Sequence, residues 1–168
     1  ALYERVAQWC VAWSVGHASH EECDRLGMSD AQRLAARRAL DALGARPDMV
    51  LMDGSWNFVG GESSRTIVKG DTTCLSIAAA SILAKVTRDR IMCELHEEWP
   101  AYDFATHKGY ITDVHAAALT AHGPSPVHRM RFVNVRRAAG LEPPLDPSDQ
   151  ELVQSTNVVL EERRGESA

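Results

Sequence analysis

Thr66-Ile67-Val68-Lys69-Gly70-Asp71 reads as a short apolar strand closed by a glycine and a carboxylate, and a long helix follows it to about Glu98. Thr72 or Thr73 is placed to cap that helix, and Pro100 ends it. Ala78, Ala79, Ala80, Ser81 and Ala84 are small, so the helix is expected to approach a sheet closely. Upstream, Pro47 breaks the chain before Met49-Val50-Leu51-Met52, another short buried strand, which ends at Asp53-Gly54. Strands alternating with helices imply an α/β domain.

Working outward, residues 2–8 read as the end of a helix, and Val11, Trp13 and Val15 alternate as in a strand over residues 10–15. Ser19-His20-Glu21-Glu22 fits a capping box opening a short helix that Gly27 ends. Ser29-Asp30-Ala31-Gln32 fits a second, before a segment with Leu34, Leu40 and Leu43 that stops at Gly44. Gly60 to Ser64 is a connection, and Tyr102 to Gly109 reads as a loop. Thr112 begins another helix, stopped by Gly123-Pro124, and Phe132-Val133-Asn134-Val135 is strand-like. Pro143, Pro144 and Pro147 open a polar tail. The expected division is a domain over residues 1–139 and an acidic, disordered tail over 140–168, ordered at most around Val158 to Arg164. Few strand candidates are visible for a sheet that buries both faces. The chain also starts Ala1-Leu2-Tyr3 without a Met, so the domain is expected to be incomplete at its N-terminus.

A chain of 168 residues with 45% hydrophobic and 24% charged residues has the size and mixture of one ordinary globular domain. No apolar run approaches the ~20 residues that span a bilayer. The net charge of −5 is confined to residues 140–168, which hold seven acids against Arg163 and Arg164. The rest is neutral, so the acidic sum says nothing against a polyanionic partner. Pro124 to Ala139 contains no acid but carries Arg129, Arg131, Arg136 and Arg137, a local basic patch. Cys10, Cys23, Cys74 and Cys93 form no C-x-x-C pair and no metal-ligand spacing, and read as buried reduced thiols of a cytoplasmic protein.

Asp53 and Asp71 each follow a short apolar strand and each has a glycine beside it. Carboxyl ends of strands are where ligands bind in open α/β sheets, and carboxylates there suit hard cations such as Mg²⁺ or Mn²⁺. The same positions also suit a turn at Asp53 and the positive end of a helix at Asp71. Thr106-His107-Lys108-Gly109-Tyr110 gathers an imidazole, an amine and an aromatic ring in one expected loop. Lysine neutralises phosphate, and tyrosine stacks on a base or sugar. His128-Arg129 adds another imidazole and a guanidinium. His17, His20, His96, His115 and His122 have no nameable partner and read as solvated or packed. Ser14, Ser55 and Ser81 lie in no G-x-S-x-G, and no glycine-rich phosphate loop precedes a helix.

The ordered run Val50-Leu51-Met52-Asp53-Gly54, Lys69-Gly70-Asp71, Ile77 through Val86, Arg88-Asp89-Arg90, Tyr102-Asp103-Phe104, His107-Lys108-Gly109-Tyr110 and His128-Arg129 closely resembles bacterial ribonuclease HII, the type 2 ribonuclease H. The resemblance covers roughly Trp13 to Arg137. It implies a ribonuclease H-like α/β fold, a mixed sheet flanked by helices, here with its N-terminal strands missing and a helical C-terminal part. It implies an endonuclease that cuts the RNA strand of RNA–DNA hybrids, and single ribonucleotides embedded in duplex DNA, and leaves a 5′-phosphate. Four acidic residues hold two divalent ions, Mn²⁺ or Mg²⁺, in that family. By motif match Asp53 is the third carboxylate and Asp71 the fourth. Tyr110 is the ring that packs against the ribose, and Lys108 and Arg129 are supporting or backbone-contacting positions on the substrate side. The departures are clear. The family's opening Asp-Glu-x-Gly-Arg-Gly is absent, as is the lysine pair of its Asp-Ser-Lys-Lys motif, and Met130-Arg131-Phe132 lacks the usual serine. A monomer with no membrane partner is expected, and the chain as written is expected to be catalytically inert. The alternative is a non-catalytic RNA–DNA hybrid-binding module.

Overall fold

A computed structural model describes residues 2–141, so the expected tail from residue 142 onward lies outside the described residues. The elements in order are α1 (Leu2–Trp9), α2 (His20–Leu26), α3 (Met28–Ala42), β1 (Val50–Asp53), β2 (Ser64–Ile67), α4 (Gly70–Thr73) and α5 (Leu75–Glu98). A 3-10 turn (Pro100–Tyr102) then leads to α6 (Phe104–His107), α7 (Asp113–His122) and α8 (Val133–Ala138).

β1 and β2 pair in parallel, with Met52 opposite Thr66 and Asp53 opposite Ile67. Among the described residues they are the whole sheet. The link between them is held by Asn57, whose amide donates to the Ser64 hydroxyl (2.8 Å) and whose carbonyl accepts from Gly60 N (2.7 Å). α5 is the spine. Its N-terminal half packs Ile77, Ala79 and Leu83 inward near the buried Met52. Its C-terminal half offers Met92 and Leu95, with Trp99 just beyond, to a core of Tyr102, Phe104, Ala118, Leu119 and Val135. Of the small residues on α5 only Ala79 is buried; Ala80, Ser81 and Ala84 face outward.

The capping box at Ser19 forms as the sequence implies: the hydroxyl accepts from Glu22 N (3.1 Å) and the Glu22 carboxylate accepts from Ser19 N (2.9 Å). Gly27 ends that helix at φ +80° and at once precedes α3, so Ser29 is already helical and its expected capping box does not exist. Residues 10–15 are not a strand. Val11 stands fully exposed, and the Ser14 hydroxyl instead donates to the Ala39 carbonyl of α3. Apolar alternation makes a strand only when a neighbouring strand supplies the ladder. Thr72 and Thr73 do not cap α5; they lie in α4 and both donate to the Lys69 carbonyl (2.8 and 3.2 Å). The expected loop of residues 102–109 contains the single helical turn α6. Phe132-Val133-Asn134-Val135 is not strand-like, because α8 starts at Val133 and presents Val135 to the core. The four cysteines are free, as expected, but only Cys23 is buried and Cys93 is exposed.

Leu119 is 2% exposed in the centre of the helical core. Leu119→Ala is expected to lower unfolding free energy by about 3 kcal/mol, measured by urea denaturation.

Candidate functional site

Asp53 ends β1, and one of its carboxylate oxygens accepts two backbone N–H groups, from Gly54 (2.9 Å) and from Gly70 (2.8 Å). The second bond ties the end of β1 to the start of α4. Packing is close at position 70, where a Cβ would lie 3.3 Å from Ile67 Cβ and 2.5 Å from Ile77 Cδ1, the flexible end of that side chain. Asp71 follows directly, in the first turn of α4. Lys69 immediately before it takes a left-handed conformation at φ +54°, braced by the two threonine hydroxyls on its carbonyl. Asp53 and Asp71 thus reach the same end of the sheet, both exposed. The second oxygen of Asp53 and the carboxylate of Asp71 are hard donors of the kind a Mg²⁺ or Mn²⁺ ion takes.

Tyr110 is 62% exposed, and the Arg88 guanidinium lies 5.0 Å from its ring centroid. Arg88 stands about 20 Å of helix rise beyond Leu75, so Tyr110 docks on the body of α5 while the two aspartates lie at its N-terminal end. Lys108, also left-handed at φ +51°, donates to the Ala105 carbonyl (2.5 Å) and to Cys93 Sγ (2.9 Å). Its ammonium therefore braces the loop against α5. The Arg129 guanidinium lies 4.3 Å over the Phe132 ring and reaches Met28 Sδ at 3.4 Å. Beside it the Asp24 carboxylate accepts from Met130 N (2.8 Å) and Arg131 N (3.0 Å), so an acid of α2 anchors the acid-free stretch. Nothing local in the sequence marks Asp24 as that partner.

His115, read from sequence as merely solvated or packed, is a buried node. Its ring stacks on His107 (centroids 4.3 Å apart, planes 10° apart), and its Nε2 meets His128 Nε2 at 3.1 Å. Phe104 lies edge-on to His107 and His115, and Tyr102 edge-on to His128. Burial, and then the neighbouring His115, push His128 down to about 4; burial likewise lowers His115. One signal was available: His107 and His128 belong to the quoted motifs, and a third histidine lies on the helix between them.

Among the described residues no three His, Cys, Asp or Glu side chains are grouped to hold a metal ion. The donor chemistry of Asp53 and Asp71 fits a hard divalent ion. No described helix is long and apolar enough to cross a membrane.

The family model described as Ribonuclease HII matches residues 4–135. A ribonuclease HII of a Nocardioides species is 63% identical over 145 residues, covering 86% of this chain and 60% of that protein. One from Streptomyces avermitilis is 48% identical over 132 residues, covering 78% and 57% respectively. The chain thus spans little more than half the length of these relatives. The crystal structure of the ribonuclease H2 from Pyrococcus horikoshii OT3 superimposes with a TM-score of 0.66 at 20% identity, covering 83% of this chain and 74% of that one. That likeness establishes the α/β fold.

Two outcomes follow from the geometry. Asp53→Asn keeps an acceptor for the buried Gly70 N–H, whereas Asp53→Ala leaves that donor unsatisfied. Urea denaturation should show the alanine variant about 1–3 kcal/mol less stable than the asparagine variant. For His128 the folded value, about 4, lies below the ordinary 6.5. The unfolded chain therefore binds more protons between these values. Its contribution is complete above pH 6.5 and is lost as pH falls toward 4, so melting temperature should drop across that window, and less steeply in His128→Gln.

Proposed function

The chain belongs to the ribonuclease HII family, and we propose that it is part of a metal-dependent endoribonuclease acting on RNA–DNA hybrids and on single ribonucleotides within duplex DNA. The observation that supports this reading is the Asp53–Gly70 hydrogen bond of 2.8 Å, which ties the end of β1 to the residue before Asp71. Asp53 and Asp71 would hold Mn²⁺ or Mg²⁺. When bound, such ions lower the pKa of a water and stabilise the leaving oxygen of a phosphodiester, leaving a 5′-phosphate. The residues of this chain do the rest. Asp53 keeps one oxygen on the backbone and turns the other outward, so the ligand is oriented before a cation arrives. Tyr110 presents a rigid exposed ring to a sugar, where the 2′-hydroxyl separates RNA from DNA. Lys108 holds the loop that carries the ring. Arg129, with Arg136 and Arg137 in the last turn of α8, supplies positive charge for the phosphate backbone.

Two carboxylates bind such ions weakly without substrate phosphate. Residues 1–168 by themselves are therefore proposed to be catalytically inert. A second reading of the chain taken alone is a non-catalytic hybrid-binding module that keeps Tyr110 and the arginines of residues 124–139. The domain is proposed to end near residue 139, with the acidic residues beyond it outside the site. A monomer in the reducing cytoplasm remains the proposed state.

The test is cleavage of a duplex bearing one ribonucleotide, with Mn²⁺ or Mg²⁺, by residues 1–168 and by a longer chain that adds an Asp-Glu pair. Cleavage by the longer chain alone is expected, abolished by Asp53→Asn and lowered about tenfold by Tyr110→Ala through lost orientation. Cleavage by residues 1–168, sensitive to Asp53→Asn, would overturn the inert reading. Binding of RNA–DNA hybrid no tighter than DNA duplex by either chain would overturn the substrate assignment.

A further inference from the structure

We propose that His107, His115 and His128 are positioning residues for Tyr110: a chain of three neutral imidazoles with fixed tautomers that holds the backbone of Gly109 and Tyr110. This rests on the reading of Tyr110 as the sugar-contacting ring.

Hydrogen-bond accounting assigns every ring nitrogen. His107 Nδ1 accepts from Gly109 N at 3.1 Å, so it carries no proton, and Nε2–H donates to the Tyr102 carbonyl. His128 Nδ1 accepts from both Ser125 N (3.0 Å) and the Ser125 hydroxyl (2.7 Å), so its proton is on Nε2. That Nε2–H points at His115 Nε2, 3.1 Å away, which must accept. His115 therefore carries its proton on Nδ1, which donates to the Tyr110 carbonyl at 3.1 Å. Each nitrogen has one role, and each ring is at most 7% exposed. A proton added to any ring would set two donors face to face, at Gly109 N, at His128 Nε2 or at Ser125 N.

Two of the three rings act on the strap directly. His107 receives the Gly109 amide, and its own carbonyl accepts Tyr110 N at 2.9 Å. His115 fixes the Tyr110 carbonyl, and His128 sets the tautomer that lets it do so. The charged groups on the surrounding elements have partners other than the three imidazoles. Arg88 on α5 bonds Asp89 and lies over the Tyr110 ring, Lys108 bonds Ala105 and Cys93, Asp103 accepts from Thr106, and Arg129 lies over Phe132. His122 on α7 meets the Tyr102 ring, His96 on α5 has a buried Nδ1 without a partner, and Asp113 opens α7. Burial is the first cause that lowers His115 and His128, a second proton on the cluster would be opposed by a first, and no carboxylate is among the causes.

The experiment is long-range ¹H–¹⁵N imidazole spectroscopy of the full chain near neutral pH, with amide exchange at Gly109 and Tyr110. Relative affinity for RNA–DNA hybrid over DNA duplex is measured on the same samples. His115 is expected on Nδ1, and His107 and His128 on Nε2. His115→Phe keeps a ring but loses the donor. It should speed exchange at Tyr110 and lower the hybrid preference about five-fold, as one lost hydrogen bond implies. His115→Asn, whose amide nitrogen falls where Nδ1 was, should restore both. Acid titration of the unsubstituted chain gives a reading free of any folding failure in the variants: exchange at Gly109 and Tyr110 should rise together with protonation of His115 and His128. His115 found on Nε2, or slow exchange unchanged in His115→Phe, would overturn the proposal. Tautomers and exchange as stated, in a chain with no hybrid preference, would support the positioning and remove the substrate reading instead.

Discussion

One carboxylate oxygen of Asp53 and the backbone N–H of Gly70 form the contact on which the arrangement depends. It closes the end of a parallel two-stranded sheet onto the start of α4, and α4 leads through Cys74 directly into α5. Gly70 lets this segment lie close to Ile67 of β2 and to the end of the Ile77 side chain of α5. A Cβ there would lie 3.5 Å from Asp53 Oδ1 and would make Ile77 Cδ1 move aside. Fold and candidate site share one constraint, so a change that loosens one loosens the other.

α5 carries that constraint along the molecule. Its first turns pack beside the sheet, and its later turns cover the core of Tyr102, Phe104 and Leu119. The Tyr110 strap lies across the same helix through Arg88, Met92 and Cys93. The segment that carries Asp71 and the one that carries Tyr110 are therefore both packed on one helix, whose rise of about 1.5 Å per residue sets the spacing between them.

The sequence made local features legible because their causes are local. Ser19 and Glu22 satisfy each other's backbone within one turn, Gly123 stops α7, and β1 ends at Asp53 as its apolar run implies, while β2 runs from Ser64 to Ile67 and leaves the expected Val68 outside, exposed. Asp53 stood out as a strand-end carboxylate and is the last residue of β1, whereas Asp71 lies in α4, one residue beyond the Gly70 N–H that Asp53 accepts. What the sequence hid depends on distant partners. Residues 10–15 alternate like a strand but have no ladder to join. Val133 to Val135 look β-branched and extended, yet the core takes up Val135 from a helix. Asp24 anchors Met130 and Arg131 from more than a hundred positions away, and His115 looked ordinary until folding set it between His107 and His128.

Strain points to the same places as hydrogen bonding. Among the described residues three that are not glycine adopt positive φ: Lys69, Asp103 and Lys108. Each costs roughly 1–2 kcal/mol, and each is over-determined by local bonds. Thr72 and Thr73 grip the carbonyl of Lys69, Asp103 receives the Thr106 hydroxyl, and Lys108 is tied by its own ammonium to Ala105 and Cys93. Two of the three immediately precede a glycine and then a candidate site residue, Gly70-Asp71 and Gly109-Tyr110. A left-handed lysine turns the chain abruptly, and the glycine after it allows close approach, to Ile77 in one case and Met92 in the other. The backbone can then deliver the next side chain outward while staying packed on α5. Strained residues of this kind persist where surrounding structure holds them, and they cluster where placement of a side chain matters more than local stability. Asp71 and Tyr110 are reached by the same device, which ties two motifs distant in sequence to one demand, fixed side chains on a helix that both segments share.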